Sequence, residues 1–140
     1  MEYDNGAVGY VWSSCVNAGA MFGHKIRVVG EKASIEWNAE FPNQLLYEVQ
    51  GEPQHVLHRD MGYLKGGVTD MDRIGAGHPE GLFEAWANLY SRFAQAIDRR
   101  EHGEVIDFWY PGVHAGVLGV KWVEKCVESA ENGASWVDYE

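Results

Sequence analysis

The stretch Ala76–Ile97, AGHPEGLFEAWANLYSRFAQAI, decides how the rest of the chain is read. Leu82, Trp86, Leu89, Phe93 and Ile97 recur at steps of three and four, and Phe83 and Tyr90 widen the stripe. That spacing predicts one long amphipathic helix with a buried face. Fully buried, such side chains contribute roughly 1.5–3 kcal/mol each, on the order of 10 kcal/mol for the stripe before chain entropy is counted. Pro79 suits a first helical position, because its missing N–H would have no intrahelical partner there. The expected N-cap is therefore His78, with Glu80 as a first-turn carboxylate favoured by the helix dipole. Gly75, Gly77 and Gly81 permit close approach to this end of the helix. His78 is accordingly the first candidate for contact with a ligand, beside the plain alternative that it only caps.

Working outward toward the N-terminus, residues 6–16 alternate well enough for a strand. Residues 24–29 and 34–37 read as a hairpin around the Gly30–Ala33 turn, and 45–49 and 54–58 as two further strands. Residues 59–75 are polar and glycine-rich without a period; a loop of that length in a compact domain is usually functional or mobile. Toward the C-terminus, 104–110 is irregular. Pro111 and Gly112 open a second helix to about Glu131, stopped by Asn132-Gly133, with a last short strand at Trp136-Val137. Strands early and helices late argue for an α+β domain, not for alternating βαβ units. The expected arrangement is an open, mainly antiparallel sheet with two long helices packed on one face. The other face then carries Trp and Tyr side chains in want of cover, which predicts a homo-oligomer through the exposed sheet face.

The bulk numbers exclude several classes. A chain of 140 residues is expected to be a single domain, and 46% hydrophobic with 23% charged residues is a globular composition. A formal net charge of −10 repels phosphate backbones and anionic lipid, so nucleic acid and membrane are not expected partners. No apolar run reaches the roughly 18 residues that span a bilayer. Cys15 and Cys126 are isolated, as in a reduced cytoplasmic protein. His55 and His58 are three apart on a strand and point to opposite faces, so they are not expected to share a metal. Ser13 and Ser14 lack a nucleophile-elbow context. Gly75-x-Gly77-x-x-x-Gly81 has a glycine spacing near that of a dinucleotide loop, but no buried strand precedes it and Pro79 removes a donor. No metal site and no cofactor site are expected within the chain. The abrupt opening, Met1 into Asn5-Gly6 and a strand, is read as the cut edge of a longer protein.

Taken in order, these residues resemble a known family. Ala76-Gly77-His78-Pro79-Glu80-Gly81, with Glu84-Ala85-Trp86-Ala87-Asn88-Leu89-Tyr90 after it, resembles the signature of the C-terminal domain of the Gfo/Idh/MocA family, the oxidoreductases related to glucose–fructose oxidoreductase and inositol dehydrogenase. Asn5–Gly9, Gly30–Trp37, Pro42-Asn43, Tyr110-Pro111 and Gly133–Val137 fit the same pattern in sequence. The resemblance implies a substrate-binding and assembly domain whose own N-terminal Rossmann domain binds NAD or NADP and lies outside this chain. It implies hydride transfer to or from a sugar, cyclitol or related polyol. The family's proton-handling residues are a lysine in Glu-Lys-Pro and a histidine four residues after an aspartate. There is no Glu-Lys-Pro here, and the aspartate–histidine motif is assigned to no residue of this chain, so no catalytic residue is expected and the fragment alone should be inactive. His78 falls on the family position near the substrate pocket, and Arg73 is placed on its approach; both are candidate substrate-binding residues. Gly112-Val113-His114 departs from the acidic residues many relatives carry after Tyr-Pro, so His114 inherits no role. The alternative is a non-enzymatic, oligomerising carbohydrate-binding module.

Overall fold

The computed structural model describes residues 1–139. In chain order its elements are β1 (Lys25–Val29), β2 (Ala33–Asn38), β3 (Gln44–Val49), β4 (His55–His58), α1 (Leu82–Glu101) and α2 (Val113–Glu131). This is the expected α+β class: an open antiparallel sheet followed by two long helices. The chain divides into two compact units, Met1–Tyr63 and Leu64–Glu140.

The first unit holds a four-stranded antiparallel meander in the order β1-β2-β3-β4. Tight turns fix its register. The Gly30 amide donates to the Ala33 carbonyl at 2.9 Å, and the Glu52 amide to that of Val49 at 3.1 Å across Gly51, whose φ of +84° favours glycine. Between β2 and β3 the Trp37 indole donates to the Pro42 carbonyl at 3.0 Å. The pairing places Ile26, Trp37, Leu45 and Leu57 in one cross-strand row and Val28, Ile35, Tyr47 and His55 in the next. One face is thus mostly apolar. Period-two alternation puts Arg27, Ser34, Glu36 and Glu48 on the other.

That polar face is organised around Glu48. Its Oε2 accepts from Arg27 Nη2 at 2.9 Å and from Ser34 Oγ at 3.1 Å, and its Oε1 accepts from Gln54 Nε2 at 2.9 Å. Arg27 also lies 3.9 Å from Glu36. The apolar face remains open, with Ile26 59% and Val28 55% exposed.

The second unit holds both helices. The periodic stripe of α1 is present, but its burial is not: Leu82, Trp86, Leu89, Phe93 and Ile97 are all exposed, and Ala96 is the single buried apolar residue among those described. This corrects the sequence expectation, and the reason is geometric. No Cα of α1 comes within 8 Å of one in α2, and periodicity shows which face wants cover without providing the surface that covers it.

Each helix is tied off by its flanking segment. After α1, Gly103 adopts φ +70° and the Glu104 amide donates to the Arg99 carbonyl at 2.8 Å. Arg99 pairs with Asp107 and donates to the Val105 carbonyl. Arg92 and Arg99 lie over the Phe108 ring, 4.8 and 5.1 Å from its centroid. These contacts order the irregular segment 104–110. After α2, the Ala134 amide donates to the Ser129 carbonyl at 2.8 Å, and Tyr139 Oη donates to the Leu118 carbonyl at 2.8 Å.

Two expected strands are not formed. Residues 6–16 are irregular apart from a single Glu2–Val8 bridge nearby, and Trp136-Val137 belongs to the tail after α2. Among the described residues neither finds a ladder partner, and alternation cannot make a strand without one.

Glu48 carries a pH consequence. Its carboxyl is held below the usual value of 4.5, chiefly by the Gln54 amide, then by the Ser34 hydroxyl; some desolvation opposes this and Arg27 assists. A depressed folded-state pKa contributes stability above the unfolded value and loses it as pH falls through the folded one. Glu48→Gln should therefore lower the melting temperature at pH 7. The gap from the unsubstituted chain should close on acidification below about 4.5, as measured by circular dichroism melts across pH.

Candidate functional site

The candidate site is the approach to α1, residues 70–84, and it is built from side chains that reach across a long loop. The start of α1 differs from the sequence expectation. Helix begins at Leu82 with Gly81 as N-cap, so His78 is not the cap and Pro79 lies outside the helix. Two carboxylates explain the shift. Glu84 Oε2 accepts the Gly81 amide at 2.8 Å, the reach-back of a capping box. Glu80, expected as a first-turn residue, turns away from the helix, and its Oε1 accepts both the Arg73 and the Ile74 amides at 2.7 Å.

His78 therefore sits on a turn. Gly77 takes φ +81°, which lets the His78 amide donate to the Gly75 carbonyl at 3.2 Å. The His78 ring folds onto the same oxygen, with Nδ1 3.2 Å away. The side chain is exposed.

Arg73 is held differently. Its Nε donates to Asn88 Oδ1 at 2.8 Å and its Nη2 to Ser91 Oγ at 3.1 Å, one turn further along α1. Asn88 in turn donates through Nδ2 to the Met71 carbonyl at 2.8 Å. Beside this contact lies an open groove of about 410 Å³ lined by Asp70, Met71, Asp72, Arg73, Asn88, Ser91, Arg92 and Gln95. Arg73 lines that groove and His78 does not. Asn88 and Ser91 were not singled out from sequence. Their signal was present, because polar residues 88 and 91 are three apart on one face of the expected helix.

The glycine-bearing turn does not fit a dinucleotide. Of the amides that would cradle a pyrophosphate, Gly81, Arg73 and Ile74 already donate to carboxylates and His78 to a carbonyl. Pro79 has none, and Glu80 and Glu84 would place negative charge against phosphate. Among the described residues, no group of three or more His, Cys, Asp or Glu side chains is arranged to hold a metal ion. One aspartate–histidine pair with the four-residue spacing does occur, Asp98 and His102, which the motif reading passed over. It lies at the end of α1, where His102 is the C-cap and its Nδ1 lies 2.8 Å from the Asp98 carbonyl. Both side chains are well exposed, and the pair finishes a helix. No helix is long and apolar enough to cross a membrane among the described residues.

A family model described as the oxidoreductase family, C-terminal alpha/beta domain, matches residues 1–139. The chain is 53% identical over 142 residues to the uncharacterized oxidoreductase YfiI of Bacillus subtilis (strain 168), covering 99% of this chain and 36% of that protein. Among solved structures, an oxidoreductase from Pseudomonas syringae is 60% identical with a TM-score of 0.95, covering 100% of this chain and 39% of that one. An inositol dehydrogenase homolog from Azotobacter vinelandii, crystallised with NADH and myo-inositol, is 61% identical with a TM-score of 0.95, covering 99% and 38%. The chain thus spans well under half the length of each of these relatives.

The Glu80 contact is open to direct measurement. Hydrogen bonds to charged groups contribute roughly 1.5–3 kcal/mol, and 1.4 kcal/mol is about a factor of ten in an opening equilibrium. Glu80→Ala should speed amide exchange at Arg73 and Ile74 about tenfold or more, with the β1–β4 amides unchanged, as followed by NMR.

Proposed function

This chain belongs to the oxidoreductase family whose C-terminal alpha/beta domain it matches from end to end, and we propose that it is the substrate-binding and assembly part of an NAD(P)-dependent polyol dehydrogenase, with a cyclitol of the inositol class as substrate. The observation that carries this reading is the 61% identity and 0.95 TM-score to a protein crystallised with NADH and myo-inositol. The local chemistry suits such a substrate. A cyclitol offers only hydroxyls, each donor and acceptor at once. The α1 approach offers the His78 imidazole, the Arg73 guanidinium as a donor, and the Ser91 hydroxyl along the groove.

In this reading the nicotinamide cofactor is held by the protein's own N-terminal Rossmann domain. The carboxylate-filled turn at Gly75–Gly81 supports placing the cofactor on that domain and not at this turn. Hydride transfer needs donor and acceptor carbons at near-contact distance, so the 140-residue chain alone is inactive. The open apolar sheet face bearing Ile26 and Val28 is where a second copy packs to form a homo-oligomer. Two free cysteines and a nicotinamide-dependent chemistry fit a cytoplasmic setting.

The test is an assay of the complete gene product. It should reduce NAD or NADP, followed at 340 nm, with myo-inositol as a better substrate than open-chain polyols; the 140-residue chain by itself should give no turnover and no cofactor heat in calorimetry. Loss of one hydrogen bond to substrate corresponds to about a tenfold change. His78→Ala should accordingly raise KM for the polyol about tenfold while kcat stays within about twofold. No turnover with any polyol or sugar, or cofactor binding by the chain alone, would overturn the reading.

A further inference from the structure

We propose that Asn88 is a positioning residue: it latches the loop 71–78 onto α1 and thereby sets where His78 is presented. The inference rests on the substrate role of His78 under the function proposed above. Three observations converge on it. Asn88 uses both ends of its amide on one loop, donating from Nδ2 to the Met71 carbonyl and accepting at Oδ1 from Arg73 Nε, each at 2.8 Å. These partners lie seventeen and fifteen residues away in sequence, so the contact is a long-range closure and not a local helix pair. Glu80 then pins the same loop from its far side through the Arg73 and Ile74 amides, and only the Gly75–Gly77 turn separates that clamp from His78.

The geometry makes Asn88 the piece that cannot be exchanged for a near relative. Only a carboxamide supplies one donor and one acceptor in a plane. An aspartate keeps the acceptor for Arg73 and replaces the donor with an oxygen facing the Met71 carbonyl. A glutamine carries both groups one methylene too far out. The latch also occupies Arg73: two of its N–H groups are engaged by α1, and its reach toward a ligand is set by that engagement.

Asn88→Ala and the near-isosteric Asn88→Asp are made in the complete gene product, with His78→Ala alongside. Hydrogen–deuterium exchange by mass spectrometry reads the loop, and steady-state kinetics with myo-inositol reads the site. Both Asn88 variants should exchange the 71–78 segment about tenfold faster, raise KM about five- to tenfold, and leave kcat within about twofold. Unchanged exchange in both variants overturns the latch. A raised KM with unchanged exchange overturns it too, because Asn88 would then act by touching the substrate itself. Faster exchange with normal KM, while His78→Ala raises KM, overturns the link between the loop and His78. If His78→Ala itself leaves KM unchanged, the substrate role of His78 fails instead, and exchange alone decides the latch.

Discussion

The structure of the α1 approach depends on one carboxylate. Glu80 lies just before the helix, where the dipole would welcome it, yet its Oε1 takes the amides of Arg73 and Ile74 instead. Two backbone donors on one charged oxygen hold a loop more firmly than a weak first-turn dipole interaction holds a helix end. With Glu80 turned back, Glu84 takes over the Gly81 amide, and α1 begins at Leu82. The Gly75–His78 turn stands clear of the helix, and the amides of this turn region that could face an anion are largely engaged. The same contact explains why His78 is a presented side chain instead of a cap.

Charge and apolar surface are distributed with similar logic in the first unit. Arg27, Ser34, Glu48 and Gln54 satisfy one another across three adjacent strands and the segment leading into β4, so the polar face is complete in itself. The opposite face is not. Its rows of Ile26, Trp37, Leu45 and Val28, Ile35, Tyr47 are ordered by register but incompletely covered. The α1 stripe in the second unit has the same character. Both surfaces are patterned for burial against something, and with only Ala96 and Ser34 buried among the described residues, neither forms a closed core. Hydrophobic burial is non-directional and needs a second surface. Hydrogen-bond networks can be completed within one surface, which is why the polar features are the better-finished ones here.

Legibility followed the range of the interactions. The meander was readable because each turn is local: Gly30, Pro42 and Gly51 punctuate runs that alternate, and the four strands fall close to where alternation placed them. The end of α2 was readable for the same reason, with Gly133 at φ +72°. The strand expected over 6–16 failed because alternation reports a preference for a half-buried surface and carries no information about a partner strand. At the candidate site, His78 was picked out by its place at the helix start and Arg73 by the family resemblance alone. The clamp between them was not, because Asn88 and Met71 are far apart in sequence and nothing in their spacing couples them.

By itself the sequence determined the α+β class, the order of strands and helices, the two faces of each element and the family to which the chain belongs. These follow from periods of two and 3.6 residues, local turn chemistry and an ordered set of motifs, all of which act over a few positions. Only the tertiary structure decided that α1 starts at Leu82, that Glu80 and Asn88 bind the loop that carries His78, and that α1 and α2 do not cover one another's apolar stripes. Those outcomes are competitions between partners distant in sequence, settled by which donor and acceptor meet in space.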